Sequence, residues 1–124
     1  MAHVATTSLR ELWFDASRIV MVVPGTGGRG AAVHGITDGV VEVVETPAAL
    51  LQRLEIDDQF ARLTRPDGSP VLLRARSVVW VRTPFQAEHP APVQSVVSLG
   101  GRGQGVTEPV QTVLDTLRQA GAQI

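Results

Sequence analysis

LWFDASRIVMV, residues 12–22, and VLLRARSVVWV, residues 71–81, match position by position. Leu12 falls on Val71, Phe14 on Leu73, Ala16 on Ala75, Ile19 on Val78 and Val22 on Val81. Further along, VEVVETPAALLQRL (41–54) matches GVTEPVQTVLDTL (105–117), which sets Val43 on Val106, Glu45 on Glu108, Leu50 on Val113, Leu51 on Leu114 and Leu54 on Leu117. Two stretches that agree in the same order and at similar spacing indicate a duplicated unit.

Each copy reads as short strands followed by one helix. Branched residues at Ile19–Val23 and Val78–Val81 suit a pleated sheet, and further strands are expected at Ala32–Ile36, Val40–Val44, Val93–Leu99 and Val106–Thr107. In the second copy FARLTR (60–65) and PVLLR flank a Pro-Asp-Gly turn and predict a hairpin; HVATTSLRELWF is expected to play that part in the first. Pro47 and Pro109 mark helix starts, because a first-turn proline gives up no needed N–H, and Thr46 is the expected N-cap of the first helix. Val110, Val113, Leu114 and Leu117 form one apolar helix face, which Gly121 ends. The expected fold is therefore α+β: two tandem β-rich units, 1–56 and 57–124, each of short antiparallel strands plus a C-terminal helix, packed as an internal pseudo-dimer. Trp13 and Trp80 are read as core anchors, Trp80 taking the repeat position of Met21.

The composition excludes several classes. Cysteine is absent, which removes disulfides, thiol nucleophiles and thiolate ligands. No apolar run approaches the roughly 20 residues of a membrane span, and MAHVATTSLRELW lacks the basic start and apolar core of a signal peptide. Cytoplasm is the default compartment, and an extracellular or virion assembly is compatible. All eleven basic residues are arginine, against twelve acids. Residues 1–56 hold four arginines and six acids, Asp57 and Asp58 add two negative charges, and residues 59–124 hold seven arginines and four acids. The charge is thus split between the halves.

The residues LTRPDGSPVLLRARSVVWV, then VVSLGGRGQGV and a terminal helix, resemble the FlbD-like family of small flagellar accessory proteins. The matching positions are Leu63, Thr64, Arg65, Gly68, Val71, Leu73, Val78, Val81, Gly101 and Val106, within residues 60–117. The chain departs from that family in its longer proline-rich loop, TPFQAEHPAP (83–92), and in having two units. A more distant similarity is to LytTR-type DNA-binding domains. Neither resemblance implies a catalytic residue.

Candidate sites are few. PGTGGRG (24–30) carries the spacing GxGxxG, but a dinucleotide fingerprint requires a helix after the last glycine. AAVHGITDGVVEVVE reads instead as strands, so the motif is expected to be a mobile hairpin loop. GGRG recurs at 100–103 but in a different turn. His3, His34 and His89 show no metal-ligand spacing, Asp57 and Asp58 read as solvated junction acids, and no GxSxG elbow occurs. No catalytic residue, metal, cofactor or small-molecule substrate is assigned. Arg62, Arg65, Arg74, Arg76 and Arg82 are placed on three neighbouring strands of the second unit, with Arg74 and Arg76 sharing a face; with Arg29 they are the candidate contacts to a partner or to nucleic acid. The expected function is a non-catalytic structural or protein-interaction module, a subunit of a flagellar accessory or virion-type assembly that associates with a partner or with itself. The alternative is a nucleic-acid-binding regulator that uses the arginine face.

Overall fold

The described strands run only three to five residues each, at the short end of the usual range. The structure, a computed structural model, describes residues 1–8, 10–85, 92–101 and 103–124. Among them are ten strands and two α-helices, a mixed α+β composition. They divide into two compact units, Met1–Asp58 and Gln59–Ile124.

In the first unit β1 (Ala2–Ala5) and β2 (Glu11–Phe14) form an antiparallel hairpin. A 3-10 turn, Ala16–Arg18, leads to the meander β3 (Met21–Pro24), β4 (Ala31–His34) and β5 (Val40–Val43), and α1 (Pro47–Arg53) closes the unit. The hairpin joins the meander where Val44 N donates to Ala5 O at 3.1 Å and Thr6 bridges Val43. In the second unit β6 (Phe60–Thr64) and β7 (Pro70–Arg74) form the hairpin. Another 3-10 turn, Ala75–Ser77, precedes β8 (Trp80–Arg82), β9 (Ser95–Ser98) and β10 (Gly103–Val106), and α2 (Val110–Gln119) follows.

The element order is the same twice over, and so is the pairing. Ala2 faces Phe14 as Ala61 faces Leu73, and Val4 faces Leu12 as Leu63 faces Val71. The N–H of Ile19 closes its 3-10 turn onto Ala16 O at 3.3 Å; Val78 does so onto Ala75 O at 3.2 Å. Val20 N reaches His34 O at 3.0 Å, and Val79 N reaches Ser98 O at 2.8 Å. Thr107 N donates to Thr64 O at 2.9 Å, the counterpart of the Val44–Ala5 bond. Buried residues repeat in the same places: Val4 and Leu63, Phe14 and Leu73, Val33 and Val97, Val43 and Val106, Leu50 and Val113. Because strand side chains alternate with period two, this agreement requires the same register in both copies.

The helix ends show what the sequence concealed. Thr46 caps α1 as expected, accepting from Ala49 N at 3.4 Å, with Pro47 in the first turn. Pro109, expected inside α2, is instead its N-cap and stands where Thr46 stands, offering no side-chain bond. Gly121, at φ +105, ends α2: its N–H reaches Arg118 O at 3.1 Å while Ala122 N reaches Leu117 O at 2.9 Å. α1 ends through the same two bonds, Glu55 N to Gln52 O and Ile56 N to Leu51 O, but the left-handed residue there is Glu55, at φ +59.

Candidate interaction surface

The glycine loop comes first because it held the only cofactor-like spacing. Gly25 to Gly30 join β3 to β4 through a short 3-10 turn at Thr26–Gly28, and a strand, not a helix, follows Gly30. Glu42 on β5 reaches across and accepts from Thr26 N at 2.8 Å and Thr26 Oγ1 at 2.7 Å. A carboxylate therefore occupies both donors of Thr26 in this loop. Those two bonds, the backbone one first, hold the Glu42 carboxyl below the usual carboxylate range. Expected as mobile, the loop is instead tied at this point and at Gly25, whose N–H reaches Gly30 O at 3.2 Å. At Gly30 φ is +64 and a Cβ would run into Val43 O, so glycine is required there for both reasons.

Charged groups elsewhere are mostly committed within their units. A wide recess of about 730 Å³ in the first unit is lined in part by His3, Asp15 and Arg53. Arg53 donates to both Glu45 oxygens, at 2.8 and 2.6 Å, and to His3 O at 2.7 Å, and the Glu45 bonds hold it more firmly protonated. Asp15 caps the 3-10 turn through Ser17, whose hydroxyl and N–H hold its carboxyl below the ordinary range. These groups serve the fold and do not converge on a reacting atom. Among the described residues no group of three or more His, Asp or Glu side chains is placed to hold a metal ion. His89 and Glu88 lie outside the described residues, as does Arg102 of the second glycine stretch.

The arginines do not form one face. Arg62 is exposed on β6. Arg65 follows that strand and is spent on its turn, donating from Nε to Ser69 Oγ at 2.8 Å with Asp67 3.8 Å from Nη2. Arg74 ends β7 nearly buried, 9% exposed, with its guanidinium 4.8 Å from the Phe60 ring centroid and Nη1 donating to Gln59 Oε1 at 2.6 Å. Arg76 lies in the following 3-10 turn, not on β7, so it shares no strand face with Arg74. Arg82 belongs to β8, which pairs with β9 and not with the β6–β7 hairpin. Arg29 is exposed in the Gly25–Gly30 loop. The expected face fails because β7 stops at Arg74, where the chain turns out of one sheet toward another.

What does assemble is a cluster around β8 that an arginine count overlooks. The Arg82 guanidinium lies 5.3 Å from the Trp80 ring centroid and 4.5 Å from that of Phe85, within cation–π range of both. Val79, Trp80 and Phe85 are 61%, 39% and 61% exposed, so Trp80 is no core anchor. Trp13 is not one either: it is 58% exposed, with its ring centroid 4.8 Å from that of His3. Glycines make room beside β8. A Cβ on Gly103 would collide with Val96 Cγ1 and stand 3.4 Å from the Trp80 ring, and one on Gly100 would stand 3.8 Å from Val79 Cγ2. In the first unit the positions of Trp80 and Arg82 fall to Met21, half-buried, and Val23, buried. The one advance signal was that Trp80 and Arg82 alternate on a strand, so both side chains leave on one side.

No known protein family, curated protein or solved structure matches the chain.

Proposed function

We propose that this protein is a non-catalytic interaction module, one subunit of a larger protein assembly, built by duplication as an internal pseudo-dimer in which the second unit presents the contact surface. The observation that carries this reading is the cluster of exposed Val79, Trp80 and Phe85 with the half-buried Arg82 against both rings. Aromatic residues and arginine are the types enriched at the energetic centres of protein interfaces. β8 is also an end strand of its sheet among the described residues, and an unpaired strand edge is a natural acceptor for another chain. The likeness of residues 60–117 to flagellar accessory proteins accords with a structural role, and a virion-type assembly fits the same surface.

The test is retention of protein partners from a lysate of the source cells on the immobilised chain, read by mass spectrometry. The expected result is a defined set held by the native chain and by Arg76→Ser, and lost from the Trp80→Ser, Phe85→Ser double variant. An identical set from all three chains would overturn the assignment. Retention of nucleic acid, released by nuclease and by salt, would favour the regulator reading, which rests on the positive balance of the second unit.

A further inference from the structure

We infer that the glutamate preceding each helix is a strap that fastens the hairpin of its unit to the meander, and that the two copies have diverged into one strap sensitive to ionic strength and one that resists it. The seam in question lies inside each unit. In the first, Val44 N donates to Ala5 O and Thr7 N to Glu42 O, both at 3.1 Å, and Thr6 bridges Val43. In the second, Thr107 N donates to Thr64 O at 2.9 Å. One residue beyond Val44 and Thr107 stand the matched carboxylates, Glu45 and Glu108. A seam of so few backbone bonds opens at a lower free energy than the interior of a sheet, so side chains that cross it set how often it opens.

The two carboxylates reach their hairpins by different routes. Glu108 Oε1 accepts directly from Thr64 N on β6 at 3.0 Å, in a part-buried position, and Ser95 Oγ donates to Glu108 O at 2.7 Å. Glu45 instead binds Arg53, whose Nε and Nη2 reach its two oxygens at 2.8 and 2.6 Å, and the same Nη2 donates to His3 O on β1 at 2.7 Å. The first hairpin is thus held at one remove, through an arginine. The repeat accounts for the difference: Arg53 falls on Thr116, whose hydroxyl turns back to Thr112 O at 2.8 Å within α2 and leaves Glu108 to the backbone. The Arg53 and Glu45 side chains are 45% and 25% exposed, so dissolved ions screen their attraction. A carboxylate bonded to a backbone N–H in a part-buried position is screened much less.

The experiment is amide hydrogen exchange by NMR on the full chain in 0.05 M and 1 M sodium chloride, with the Val20 amide, bonded to His34 O, as the internal reference. Relative to Val20, high salt should speed exchange of Val44 and Thr7 about two- to fivefold, the effect of losing one exposed ion pair, and leave Thr107 unchanged. Arg53→Gln should produce the same acceleration at low salt and abolish the salt response, and Arg53→Lys should recover part of the protection. Glu108→Ala should speed Thr107 at both salt concentrations. A Thr107 amide as salt-sensitive as Val44 overturns the inference, and so does an Arg53→Gln chain in which Val44 and Thr7 exchange no faster than in the native one. If circular dichroism shows that Arg53→Gln does not fold, the native salt series decides alone: equal responses at the two seams overturn the inference, and a response confined to Val44 and Thr7 upholds it.

Discussion

The arginines show how little a residue's type says about its task. Arg74 is folded over Phe60 and bonded to Gln59, while Arg76, two positions on, lies exposed in a turn. Arg74→Ala should lower stability by about 1–3 kcal/mol, the range for losing a buried, charge-assisted hydrogen bond, whereas Arg76→Ser should change it by no more than about 0.5 kcal/mol. Urea unfolding followed by tryptophan fluorescence checks both values. Binding assays on a variant lacking both arginines would therefore report on folding as much as on contact. Glu42 supplies the second test at this scale. It accepts from Thr26 more strongly when ionised, and its pKa is depressed in the folded chain. Their charge-assisted contribution is thus fully present above the ordinary glutamate range and is lost as pH falls through the lower folded value. A carboxyl titration by NMR should place Glu42 below the ordinary glutamate range, and the Thr26 amide should exchange faster once Glu42 is protonated.

Among the elements, strands and helices were legible where period and turn chemistry agreed. The Pro-Asp-Gly turn located the β6–β7 hairpin, and the spacing from Val110 to Leu117 located α2. The β1–β2 hairpin has the same register as β6–β7 but no comparable turn signal, so only the repeat pointed to it. Both tryptophans were misassigned because size and hydrophobicity predict burial, whereas the side a residue takes is set by register. The cluster on β8 was hidden for a further reason: it depends on Phe85, beyond the strand, folding back on Arg82. The end of α1 was hidden too, since no glycine marks it. Glu55 holds a left-handed conformation that costs a side-chain-bearing residue roughly 1–2 kcal/mol, partly offset in a glycine variant by the entropy glycine gains on unfolding. Glu55→Gly should accordingly stabilise the protein by about 0.5–1 kcal/mol, measured as a higher urea midpoint at unchanged slope.

At the level of the whole molecule the relevant quantity is the separation of charge between units. The net charge of −1 conceals it. Association with an oppositely charged surface should weaken with ionic strength, because screening shortens from about 10 Å at 0.1 M salt to about 3 Å at 1 M. The expected outcome is a lower average mass by light scattering in 1 M sodium chloride than in 0.05 M. The reverse trend would indicate contact dominated by apolar burial. The matched hairpins have one more consequence. Ala2 to Phe14 and Ala61 to Leu73 are equal lengths of chain with equal pairing, so either hairpin can serve as a template for the other. One copy can keep the architecture while the outward positions of the other drift, and exchanging the two segments would transplant a surface without rewriting a backbone.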